Sequence, residues 1–188
     1  MDIENNVTVP DSSLLIEGDK IVEVLNKPIA NDSHINGCVV DMRGRYVLPG
    51  LCNMHNNLSM ETPASRTDPN EFPAISVLRL YKNAYDGLLA GSTTLRLVGE
   101  LNGVDIPLRN MINSGLVKGP RLICARRALG ITGGHATPLG VDCDSPDEFR
   151  KAARTELLGG ADFLKIFITG GIAKAEEGIR SSRCPKMT

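Results

Sequence analysis

The feature that most limits how this chain can fold is a change of rhythm at Pro49-Gly50. Before it, apolar residues come in strand-length bursts, Leu14 to Glu17, Ile21 to Leu25, Cys38 to Asp41 and Tyr46 to Leu48, with turn signals at Gly18-Asp19 and Arg43-Gly44. That pattern predicts a small antiparallel β unit over residues 1–49. After it, strand-length runs alternate with helical ones, the pattern of β/α units that build a parallel sheet. The boundary falls near residue 50.

Leu51 to His55 reads as the first strand of the second part. A Pro-containing loop follows, then a helix from about Pro73 to Ala90 with Ile75, Leu78, Tyr81, Tyr85, Leu88 and Leu89 at helical spacing, closed by Gly91. Thr93 to Val98 is the second strand, Ile106 to Asn113 a short helix ending at Gly115, and Arg121 to Ala125 the third strand. Ser145-Pro146-Asp147-Glu148 has capping-box spacing with proline at the first helical position, so another helix should run to about Leu158 and stop at Gly159-Gly160. Phe163 to Ile168 is the fourth strand and leads into Thr169-Gly170-Gly171; residues 173–188 read as a polar tail. Closing an eight-stranded β/α barrel takes about 250 residues. The expected class is therefore α/β, a partial TIM-like (β/α) barrel of about four units over residues 50–172, preceded by a β-sandwich-type strand unit.

Charge and cysteine content narrow the partners. With 21 Lys and Arg against 22 Asp and Glu, the formal net charge is -1, so no long-range field favours nucleic acid or an anionic membrane. The five cysteines are odd in number and show no Cys-x-x-Cys spacing, which argues against a disulfide framework. Cys38, Cys52 and Cys124 sit in apolar runs and are expected to pack as small hydrophobes. The start, Met1-Asp2-Ile3-Glu4, has neither a basic region nor an apolar signal core, and the expected location is cytoplasmic.

Three residues stand out as chemistry. Strict alternation puts Asn53, His55 and Asn57 on one face at the C-terminal end of the first strand, the end where β/α folds bind ligands. Alone, such a histidine is more often a packed residue than a metal ligand. Lys165 is the one amine in Phe163-Leu164-Lys165-Ile166-Phe167-Ile168 and shares a face with Phe163 and Phe167, so it should be poorly hydrated and its pKa lowered. A neutral lysine attacks carbonyls or takes up carbon dioxide as a carbamate; the alternative is a stem that snorkels to solvent or a carboxylate. His135, in Gly130-Ile131-Thr132-Gly133-Gly134-His135, either binds substrate or is an exposed loop histidine.

Several ordered segments together resemble the amidohydrolase superfamily, in its imidazolonepropionase-like and Xaa-Pro dipeptidase-like branch. They are Gly44-Arg45-Tyr46-Val47-Leu48-Pro49-Gly50-Leu51, Ala90-Gly91-Ser92-Thr93-Thr94-Leu95-Arg96, Gly119-Pro120-Arg121-Leu122, Ile131-Thr132-Gly133-Gly134-His135 and Gly160-Ala161-Asp162-Phe163-Leu164-Lys165-Ile166. The resemblance implies a composite β-sandwich strand unit followed by a metal-dependent (β/α) barrel. Its implied activity is hydrolysis of carbon–nitrogen bonds in a small-molecule amide, lactam or dipeptide, by a metal-activated water. It also implies a divalent metal, zinc, as one or two ions. His55 matches the first histidine of the family's Asp-x-His-x-His motif, Lys165 the lysine that is carboxylated and bridges metals in many members, and His135 a loop histidine facing the active site.

The departures bear on activity. Asn53 stands where the family has Asp, Asn57 where it has the second metal histidine, and Leu97 where an Asp often follows Thr-x-Arg. An amide carbonyl is a poor substitute for imidazole on zinc. The metal set that the resemblance implies is His55, Lys165 and Asn57, with His135 toward substrate; the only other histidine, His34, lies in the N-terminal unit. The expectation is a chain limited to the N-terminal half of an amidohydrolase, weakly active or inactive alone. The alternative is a non-catalytic binding or assembly module whose sheet edges favour a homo-oligomer. The unpatterned run from Ala173 to Thr188 is also compatible with a misread continuation.

Overall fold

The computed structural model describes residues 2, 4–29, 37–62, 66–135 and 140–170. His34, Gly171, Cys184 and the tail expected over residues 173–188 lie outside the described residues. The chain divides into two compact units, Met1–Pro49 and Gly50–Thr188.

In the first unit, β1 (Ser13–Glu17) and β2 (Lys20–Leu25) form an antiparallel ribbon with Glu17 beside Lys20 and Leu14 beside Val24. Gly18, at φ 62, makes the tight turn that an L side chain would strain. Two strands cannot enclose a core, and Ile16, Ile21, Val22 and Val24 remain exposed. The strands expected at Cys38 to Asp41 and Tyr46 to Leu48 do not form. Between them the chain makes a local turn: Asp41 Oδ1 accepts from Arg43 N at 2.9 Å, and Arg45 N donates to Met42 O at 2.9 Å. Cys38 is exposed, against its expected burial.

The second unit alternates strands and helices. Its elements are β3 (Leu51–Asn56), α1 (Pro73–Leu89), β4 (Ser92–Leu97), a 3-10 turn at Leu101–Gly103, α2 (Asp105–Asn113), β5 (Arg121–Cys124), β6 (Ala128–Gly130), β7 (Gly140–Asp142) and α3 (Pro146–Leu158). β3, β4 and β5 make one parallel sheet in that order, and β6 and β7 pair in parallel as a second. Leu95 and Leu97 of β4 and Leu122 and Cys124 of β5 turn toward the helices, where they pack with Leu80 and Ala84 of α1 and Leu108 of α2. Leu129, Cys143, Phe149 and Ala152 form a second cluster beneath α3. Thr94 and Arg96 therefore project from the opposite face of β4. No helix among the described residues is long and apolar enough to cross a membrane.

The helices fall where the periodicity places them, but α1 buries a different stripe. Ser76, Leu80 and Ala84 are buried, while Ile75, Leu78 and Leu89 are exposed. Ser76 fits the apolar side because its hydroxyl donates to Glu71 Oε1 at 2.6 Å. α3 begins with the expected capping box, Ser145 Oγ accepting from Glu148 N. The strand expected over Phe163 to Ile168 is reduced to a bridge: Leu129 N donates to Lys165 O at 2.8 Å and Phe167 N to Leu129 O at 2.9 Å, with Ile166 beside Leu129. β6 offers only three residues and has β7 on its other side, so the ladder cannot lengthen along it. Cys124 and Cys143 are buried thiols, whereas Cys52 is exposed.

Candidate active site

β3 does not carry its alternation through. Asn53 lies beside Leu95 and Asn56 beside Leu97, so three residues of β3 advance against two of β4. This bulge breaks the shared face expected for Asn53, His55 and Asn57. Within it, His55 N donates to Asn53 Oδ1 at 3.2 Å. Asn56, which is buried, donates from Nδ2 to Asn53 O at 2.9 Å and to Arg96 O at 3.2 Å. Asn53, His55 and Asn57 are all exposed.

On the neighbouring strands, side chains converge around two phenylalanines. The Arg96 guanidinium carbon lies 4.9 Å from the Phe163 ring centroid, and Lys165 Nζ lies 4.7 Å from that of Phe167. His135 meets the same Phe167 ring edge-on, with centroids 5.0 Å apart and planes at 74°. Phe167 thus brings Lys165 and His135 together. Loss of water around Lys165, and secondarily the charge of Arg96, hold its ammonium below the usual lysine pKa. Arg96 itself escaped the sequence reading, although one charged residue inside Ser92-Thr93-Thr94-Leu95-Arg96-Leu97 was a signal.

Below this surface sits a buried acidic network that the sequence also hid. Glu100 is fully buried; its Oε1 accepts from Leu58 N and its Oε2 from Ser59 N, each at 2.8 Å, and also from the Ser59 hydroxyl. Burial outweighs those donors and pushes its pKa up to about 7. Asp105, also buried, accepts from Arg126 N at 2.9 Å and Ile106 N at 3.0 Å, and dehydration raises it to about 6. Arg126 sits in the left-handed region at φ 64, held by Asp105, by Glu100 N donating to its carbonyl, and by its own guanidinium on Glu156. The network fastens the loops after β3, β4 and β5 to one another.

No family model matches the chain. Solved structures do. A crystal structure of an amidohydrolase is 32% identical with a TM-score of 0.80, over 93% of this chain and 46% of that one. A prolidase complexed with N-methylphosphonate-L-proline is 26% identical with a TM-score of 0.84, over 98% of this chain and 48% of that one. A Xaa-Pro dipeptidase with methionine bound in its active site is 28% identical with a TM-score of 0.79, over 92% and 46%. In sequence and fold the chain is similar to amidohydrolases. It also matches the 5-methylthioadenosine/S-adenosylhomocysteine deaminase of Bacillus cereus, at 37% identity over 57 residues, 30% of this chain and 13% of that enzyme. The chain spans less than half the length of these solved amidohydrolase relatives and about an eighth of the deaminase.

The donors present do not by themselves fit the metal that an amidohydrolase implies. A catalytic zinc takes three protein ligands and a water. His55 offers one imidazole and Asn57 a neutral amide, both exposed, while Lys165 stands in the field of Arg96, whose charge opposes a cation. Among the described residues no three or more of His, Cys, Asp and Glu gather into a metal-holding group.

Proposed function

We propose that this chain is an amidohydrolase-family scaffold for small-molecule amides or dipeptides with little or no hydrolytic turnover of its own. In this reading its second unit corresponds to the opening strands and helices of a partial (β/α) barrel. The prolidase and the Xaa-Pro dipeptidase among its structural relatives support a dipeptide as the substrate class. His55, Asn57 and Lys165 occupy metal-facing positions by resemblance, and His135 a substrate-facing one. The observation that carries the reading of low activity is Asn57: exposed just past the end of β3, it puts a neutral amide where zinc chemistry needs a second imidazole. Zinc content of the purified chain, measured beside hydrolysis of an Xaa-Pro dipeptide, tests it. Stoichiometric zinc with zinc-dependent turnover would overturn it.

A second reading is that of an assembly module. β3 has no strand on its outer edge among the described residues, and its Leu51 and Met54 are 64% and 45% exposed. Parallel edges of this kind recruit further strands. Light scattering decides this reading, because a monomer at high concentration counts against it.

A further inference from the structure

The half-buried arginines of this protein share a habit with one exception. Arg79 pairs with Glu61 and Glu71, Arg109 with Asp162, and Arg126 and Arg127 both with Glu156. Arg96 is half-buried too, and so is Lys165, the one lysine among the described residues that is not exposed. Among the described residues neither side chain meets a carboxylate or any other hydrogen-bond acceptor; both lie against aromatic rings. Arg96 Nε is buried with its N–H unanswered. Lys165 lies in the field of Arg96.

A ring face attracts a cation by about 0.5–2 kcal/mol but accepts none of the directed N–H bonds that a guanidinium and an ammonium offer. A buried guanidinium N–H without an acceptor and a half-buried ammonium, each held against a ring of the same short segment, form a site with an unfilled requirement among the described residues. We propose that Arg96 and Lys165 bind a small carboxylate between the rings of Phe163 and Phe167. The planar fork of the guanidinium matches the two oxygens of a carboxylate, and the ammonium adds a second donor to the same anion. The flanking phenylalanines suit a carboxylate bearing an apolar group better than a strongly hydrated phosphate.

The backbone beneath both cations is fixed, which limits the ordering cost of binding. Arg96 O is held by the buried Asn56, and Lys165 O by Leu129 N. Phe167 is braced on another side by His135. The site deepens the proposed function by naming a substrate feature, a free carboxylate, and it rests on that reading only in treating this face as the one turned to substrate. It also reverses the expected sign of the ligand: an anion in place of a metal cation.

Calorimetric titration of the purified chain with phenylacetate tests it, beside its uncharged counterpart 2-phenylethanol, inorganic phosphate and zinc chloride. Phenylacetate should bind in the millimolar range or tighter and weaken as sodium chloride is added. Arg96→Gln and Lys165→Gln should each weaken it about tenfold or more, as loss of a charge-assisted hydrogen bond implies. Arg96→Lys, which keeps the charge, should retain part of the affinity. Circular dichroism reports whether each variant is folded; should Arg96→Gln not fold, Lys165→Gln and the salt dependence decide. Equal binding of 2-phenylethanol, tighter binding of phosphate, affinity unchanged in the folded variants, or zinc binding that Lys165→Gln abolishes would each overturn the proposal. Dipeptide turnover bears on the proposed function alone, and carboxylate binding on this site alone.

Discussion

Replacing Glu100 with Gln should flatten the pH dependence of this protein's stability. In the fold the carboxyl is fully buried and holds its proton up to about pH 7, against an ordinary value of 4.5. Between those limits the folded chain binds more protons than the unfolded one, so stability falls as pH rises through the window and levels off above it. A displacement from 4.5 to about 7 corresponds to about 3 kcal/mol lost from the acid to the alkaline side. Gln removes that titration at nearly constant volume. Its amide also turns a donor toward a group that now donates, either Leu58 N or the Ser59 pair, a cost of about 1–3 kcal/mol that does not depend on pH. Glu100→Gln should therefore be less stable than wild type near pH 5 and close to it, or more stable, near pH 8. Since the chain has no tryptophan, urea unfolding followed by far-ultraviolet circular dichroism at the two pH values is the assay. The two stability differences should be separated by about 3 kcal/mol. Wild type and variant with the same pH slope would refute the reasoning, because the slope would then come from other groups. Asp105, raised to about 6 from 3.8, adds a weaker slope of the same sign that both proteins share.

Three further outcomes follow from other parts of the structure. Glu156 is fully buried between Arg126 and Arg127, whose side chains are 26% and 33% exposed, so Glu156→Ala should cost about 2–4 kcal/mol, somewhat eased because both cations can reach water, as a urea titration will read. A Cβ at Gly50 would meet Thr93 Oγ1 at 2.0 Å, so Gly50→Ala must move β4 against β3 and should lower the thermal midpoint, by about 1–3 kcal/mol of stability. Asn57→His supplies the missing imidazole and should raise zinc affinity by about tenfold or more in competition with a chromophoric chelator, and no change would remove the end of β3 from the metal-facing positions.

Helices were more legible than strands, and for a physical reason. The start of α3 is a local device, Ser145 and Glu148 satisfying each other's backbone N–H, so four residues suffice to announce it. α1 was legible in extent but not in face, because Ser76 counts as polar until Glu71 is known to accept its hydroxyl proton. A strand, by contrast, depends on a distant partner. Cys38 to Asp41 and Tyr46 to Leu48 are as apolar as β1, yet neither is a strand among the described residues. Phe163 to Ile168 finds an edge of three residues and stops at a bridge. β6 and β7 are too short to leave a periodic trace.

Chemistry was legible where a residue contrasts with its immediate neighbours and illegible where it depends on residues far away in the chain. Lys165 shows the first case: one amine in an apolar run becomes half-buried, with its ammonium disfavoured. Glu100 and Asp105 show the second, since their burial depends on donors from Leu58, Ser59 and Arg126. β4 shows how the two combine. Position 97, where the family often carries an acid, holds a leucine that is fully buried among Leu80, Leu95 and Leu108, on the helix side of the sheet. A carboxylate there would enter the apolar layer unpaired, which folding would not tolerate without a partner. Chemistry at this strand end is therefore confined to the other face, and the last side chain of β4 on it is Arg96. The bulge at Asn53 to Asn56 brings the buried Asn56 amide onto the carbonyl of that same arginine, tying the altered β3 to the one β4 residue whose charge has no acidic partner among the described residues.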